Sequence, residues 1–175
     1  LNYECGSLRN IHYGDILVKF PATIQSLDSN IPYVNANKIP KTYDVLKTGD
    51  IIIADTAEDE TAGKGVELIE DSIPVISGLH TLPYRPKVKF ACGYLGYFLN
   101  STQYHKQLLP LLHGIKVLSL TKAELEKTVI TYPSLPEQQK IAGFLTAVDA
   151  QIDVEEKRLE TMKTIKKGLL QQMFI

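Results

Sequence analysis

The sequence predicts an α+β protein: a β-rich mixed globular body over residues 1–133, then one long coiled-coil helix over 134–175. Three observations carry this. Short β-favouring runs separated by turn residues fill the body. A capping sequence at Ser134 opens an unbroken helical pattern. Apolar residues then recur in steps of four and three, the 3.5-residue spacing of a coiled-coil seam.

In chain order, Tyr13-Gly14-Asp15 and Thr48-Gly49-Asp50 read as tight turns. They lead into strands at Ile16-Leu17-Val18 and Ile51-Ile52-Ile53-Ala54. Tyr33-Val34, Val75-Ile76 and Val88-Lys89-Phe90 give further short strands. Residues 55–65 are polar, acidic and glycine-containing, and they lack the ligand spacing of a calcium loop, so they read as a solvated surface loop. Residues 92–99 and 103–112 carry aromatic and leucine residues at helical intervals, broken by Asn100-Ser101 and Pro110. Thr121 to Lys127 forms a short helix with a capping box at Thr121 and Glu124. Val129-Ile130-Thr131 is the last expected strand, and Pro133 is the hinge into the rod.

The rod begins with Ser134-Leu135-Pro136-Glu137. The Ser134 hydroxyl can accept from the Glu137 amide, the Glu137 side chain can reach back, and Pro136 sits where no helical donor is lost. The seam is Ile141, Leu145, Val148, Ile152, Leu159, Met162, Leu169 and Met173, interrupted by Glu155 and Lys166. Asp149, Asp153, Glu156, Lys157, Glu160, Lys163 and Lys167 make the opposite side polar, leaving too narrow a stripe for a core helix. At 1.5 Å per residue the rod is roughly 55–60 Å long, too long to pack wholly against its own body. Lys163, Lys166 and Lys167 suit the negative end of the helix dipole, and Gly168 lowers local helicity by about 1 kcal/mol. A seam of this kind requires a partner helix.

The 175 residues, 44% of them hydrophobic, suit one compact domain plus an extension. No run is apolar enough for a membrane span, no secretory signal is visible, and Cys5 and Cys92 form neither a disulfide framework nor a ligand spacing. The expected location is therefore cytoplasmic. Opening on Leu1, the chain reads as a fragment or a processed form. Its net charge of −1 hides an uneven distribution. None of the 20 acidic residues lies in 72–123, a stretch that holds Arg85, Lys87, Lys89, Lys106, Lys116 and Lys122 with three histidines and four tyrosines. Carboxylates would repel phosphates, so such a stretch is suited to face a nucleic acid. The plainer alternative is a buried β-rich segment with little room for charge.

There is no dinucleotide-binding glycine motif, no phosphate loop, no zinc-protease motif and no nucleophile elbow. His80 could serve as a base, but no nucleophile or metal partner accompanies it. The expectation is a chain that is not an enzyme and takes no cofactor.

The capping box running into Glu137-Gln138-Gln139-Lys140-Ile141-Ala142, with Phe144-Leu145 and Asp149, resembles the conserved-region helix of type I restriction-modification specificity subunits. So does the ending Lys167-Gly168-Leu169-Leu170-Gln171-Gln172-Met173-Phe174. Upstream, Tyr13-Gly14-Asp15-Ile16-Leu17, Asp55-Thr56-Ala57-Glu58-Asp59, Val75-Ile76-Ser77-Gly78-Leu79-His80-Thr81 and Tyr84-Arg85-Pro86-Lys87 resemble the target recognition domain of that family, in the same order. The resemblance implies a DNA-reading domain over 1–133 and a dimerisation and spacer helix over 134–175. It implies double-stranded DNA, methyltransferase subunits and restriction subunits as partners. The second conserved helix would come from another copy or from a longer subunit. With one domain and one helix, the chain resembles half a specificity subunit whose first strand or loop is absent.

Base readout is expected from loops of the acid-free stretch: His80, Arg85, Tyr104, His105, Lys106 and Gln107, with Lys64 beside them. Lys87, Lys89 and Lys116 are expected to meet phosphates. The competing reading is a coiled-coil assembly protein whose β-rich body binds another protein. Salt-dependent duplex binding separates the two.

Overall fold

The computed structural model describes residues 1–174; Ile175, included in the expected helix, lies outside the described residues. The elements begin with β1 (Arg9–Ile11), α1 (Tyr13–Val18), β2 (Thr23–Gln25), β3 (Ile51–Ala54), β4 (Thr56–Ala57) and β5 (Gly65–Glu70). They continue with β6 (Val75–Ser77), β7 (Thr81–Tyr84), α2 (Tyr94–Leu99), α3 (Thr102–Leu108), β8 (Leu118–Ser119), α4 (Lys122–Leu125) and α5 (Leu135–Met173). The architecture is mixed α+β with several small sheets and a long C-terminal helix.

The central sheet runs β2-β5-β3-β7. Strand β2 is parallel to β5, with Thr23 opposite Glu67. Strand β3 is antiparallel to both neighbours, with Ile52 opposite Val66 on one side and Pro83 on the other. Side strands β1 and β6 pair in parallel, and β4 pairs antiparallel with β8. Alternation along β3 sends Ile52 and Ala54 into a core with Ile11, Ile16, Phe20, Leu68 and Val75. Ile51 and Ile53 enter a second core with Leu95, Leu99, Leu108, Leu120, Leu125 and Ala142. A strand buried on both faces reads as a continuous apolar run, which is why β3 was legible.

Several expected elements differ. Residues 13–18 form helix α1 instead of a turn and strand: the Asp15 carboxylate accepts from the His12 amide, Lys19 pairs with Asp15 at 2.7 Å, and Ile16 is buried. Val88-Lys89-Phe90 forms no strand; Pro86, two residues past the end of β7, offers no ladder donor to carry the sheet onward. Phe90 instead stacks on Tyr94 and meets Tyr132 edge-on. Tyr33 makes only isolated bridges. Val129-Ile130-Thr131 is also outside any sheet; the Gln107 side chain takes both backbone groups of Val129. The expected loop over 55–65 contains buried β4, so only Glu58 to Thr61 are solvated.

The sheet is joined to the long helix through α2. Glu67, buried on β5, accepts from the amides of Gly93 at 2.8 Å and Gly96 at 3.0 Å. Gly96 is required there, since a Cβ would sit 2.2 Å from the Ala22 carbonyl oxygen. The Tyr97 hydroxyl on the same helix donates to Asp149 of α5 at 2.8 Å. At the base of α5, Gln138 is 2% exposed; its Oε1 accepts from the Ala91 amide and its Nε2 donates to the Pro133 carbonyl. The capping box at Ser134 and Glu137 is formed as expected. From 151 to 167 every residue of α5 is exposed. Among the described residues, no helix is long and apolar enough to cross a membrane.

Candidate nucleic-acid interface

The end of β7 and the segment after it bring Arg85 and Lys89 into one cleft with Lys47, a volume of about 470 Å³ also lined by Asp50, Glu67 and Cys92. Both carboxylates are engaged inside the fold. Asp50 is buried, accepts from the Lys47 amide, and holds Arg85 through Nε at 2.8 Å and Nη2 at 2.6 Å. Burial pushes the Glu67 carboxyl up, against the opposing effect of the α2 amides that bond it. The cations therefore line the mouth while the acids sit beneath it. Sequence reasoning missed Lys47, which lies before the acid-free stretch and joins it only through the β3 and β7 pairing.

Arg85 has a narrower role than an unpaired arginine. Its Nε and Nη2 face Asp50 side-on, which fixes the guanidinium and leaves its Nη1 end as the one to meet DNA. Lys87 is exposed beside this cleft in sequence but is not part of its lining.

Three expected contacts are placed differently. Tyr104 is 2% exposed, and its hydroxyl bonds that of Thr128 at 3.0 Å, so its ring fills the second core. Gln107 anchors Val129. The Lys64 ammonium donates to the carbonyls of Leu17 and Phe20, tying down the end of α1, and burial lowers its pKa. In these positions the polar group of each of the three side chains is bonded within the fold. Their amphipathic character gave no sequence signal to distinguish the two roles.

His80 is exposed and has φ 54°, a left-handed conformation uncommon for a residue with a side chain. Its Nδ1 lies 3.2 Å from Asp55, and its ring meets Tyr13 edge-on. His105 is half-buried in a separate cleft of about 690 Å³ shared with Asp59, Glu60 and Lys64. Lys106 on α3 is exposed, as is Lys116 on the turn between the bridged residues His113 and Ser119. The expected contacts thus fall into several groups: Arg85 and Lys89 share one cleft, and Lys64 and His105 another. Among the described residues, no group of three His, Cys, Asp or Glu is placed to hold a metal ion.

The rod presents its seam away from the body. Gln138, Ala142 and Asp149 face the body, whereas Ile141, Val148, Ile152 and Leu159 lie roughly a quarter turn around the helix. Ile152 is 49% and Leu159 56% exposed. Leu145 is half-buried, and Met162, Leu169 and Met173 are exposed.

A family model described as type I restriction modification DNA specificity domain matches residues 4–164. A curated protein of Methanocaldococcus jannaschii, described as the type I restriction enzyme MjaX specificity subunit, is 28% identical over 130 residues. The alignment covers 72% of this chain and 30% of that protein's length.

Proposed function

The chain belongs to the type I restriction modification DNA specificity domain family, and from that premise we propose that residues 1–133 read duplex DNA while 134–175 pair with a second helix. The observation that carries this reading is the match itself, which spans both the body and most of the rod. An unpaired apolar seam and a cationic cleft with internally engaged acids are consistent with it. In this reading the rod separates two readers, as an interrupted bipartite site requires, and methyltransferase and restriction subunits perform the chemistry. The chain itself is non-catalytic and binds no cofactor.

Phosphate contacts come from Lys87, Lys89 and Lys116, joined by Lys47. Base contacts come from His80, Arg85, His105 and Lys106. Tyr104, Gln107 and Lys64 position those loops. Replacing Lys87 and Lys89 with Gln is expected to weaken binding to all duplexes alike. The slope of log affinity against log salt should fall by roughly one unit for each phosphate that is no longer neutralised. Unchanged titrations at two salt concentrations would move the phosphate surface elsewhere.

Methyl transfer provides the direct test. The purified chain should neither methylate DNA nor bind S-adenosylmethionine, and adding a methyltransferase subunit should produce modification at one site class. Replacing Lys106 with Ala should change which sequence is modified more than the rate, since a mismatched base contact is worth about 1–3 kcal/mol. Calorimetric binding of the cofactor to this chain alone would overturn the non-catalytic reading.

A further inference from the structure

We propose that, where the rod pairs with the α5 helix of a second copy, it does so in the one antiparallel register that sets Glu155 against the partner's Lys166. The inference rests on the reading of α5 as a pairing helix and adds its offset. Glu155 and Lys166 are the two charged residues that interrupt the apolar seam, and both are exposed on a helix whose flanking seam residues have no cover. A parallel, in-register pair would set each charge against its own copy, glutamate on glutamate and lysine on lysine, inside an apolar interface.

Antiparallel pairing allows a few offsets that keep seam on seam. When Leu159 faces the partner's Met162, Ile152 faces the partner's Leu169 and Glu155 faces the partner's Lys166. Two-fold symmetry makes that last contact twice. On the flank of the seam the same offset brings Glu156 beside the partner's Lys163, a second opposite-charge contact. Sliding by one heptad in one direction sets Glu155 against the partner's Leu159, Lys166 against the partner's Val148, and Glu156 against itself. Sliding the other way sets Lys166 against the partner's Met162 and Lys163 against itself. Only the intermediate offset pairs both seam charges and leaves no like-charge flank. It also places the starts of the two helices about 75 Å apart along the rod, fixing the separation of the two bodies.

The test is the dimer dissociation constant from sedimentation equilibrium, for Glu155→Lys, Lys166→Glu and the double swap. These exposed positions leave the fold of each chain intact, which far-UV circular dichroism checks. Each single change sets like charges together twice and should weaken the dimer on the order of a hundredfold. The double swap should return it to within about threefold of the starting value. A wild-type dimer that is indifferent to both single changes, or a double swap no better than the singles, overturns the register and leaves the pairing helix standing. A wild-type chain that stays monomeric at millimolar concentration overturns pairing with a second copy, and the register with it.

Discussion

Replacing Ile152 and Leu159 together with Asp is expected to abolish self-association of this chain and leave a folded monomer. Both side chains are about half exposed on a part of α5 that touches nothing else in the protein, so the fold has no stake in them. In a pair, each becomes an uncompensated carboxylate facing apolar neighbours, and symmetry repeats the insult in the second copy. Burying such a charge costs several kcal/mol, more than the few apolar layers of a 39-residue helix can offset. Sedimentation equilibrium should show association weakened by more than about a thousandfold while the thermal unfolding of the body is unchanged. Retained association at micromolar concentration would mean that another surface joins the copies.

The second large effect is expected at Glu67→Ala. This carboxylate is the acceptor for the amides that begin α2, and α2 carries the Tyr97 contact to the rod. Removing it leaves buried N–H groups without partners and a cavity beneath the helix, a loss of roughly 3–4 kcal/mol. Urea denaturation should show that loss, and hydrogen exchange should show α2 opening ahead of the sheet. The pH dependence has a defined sign. Burial raises the Glu67 carboxyl above its ordinary 4.5, so the folded state holds this proton more tightly than the unfolded state. Its contribution is full below 4.5 and declines as pH rises through the raised value; the Ala variant should lack that decline. A wild-type stability profile identical in shape to that of the variant would contradict the assignment.

Local chemistry determined a good part of this protein. The capping boxes at Ser134 and Thr121, the heptad spacing of α5 and the doubly apolar run of β3 each follow from contacts within a few residues or from a fixed period. Those signals survive folding because no tertiary contact competes with them. The motif strings that resemble the specificity family belong to the same class, and the match over residues 4–164 agrees with them.

Tertiary structure decided the rest. Strand β5, at the centre of the sheet, carries Glu67 and Glu70 and alternates too weakly to announce itself; its neighbours come from β2 and β3, far apart in sequence. Helix α1 overrode a strand-like triplet because Ile16 and Phe20 had a core to enter. The charge map changed most. Arg85, Lys64, Tyr104 and Gln107 carry groups that suit DNA, yet their partners, Asp50, the carbonyls of Leu17 and Phe20, Thr128 and Val129, come from 22 to 47 residues away along the chain. Whether a polar side chain faces a groove or closes a gap in its own fold depends on which distant donor or acceptor lies within about 3 Å. No local pattern encodes that distance. The rod is the opposite case: its seam was legible, and it remains uncovered because the body supplies nothing to pack against it.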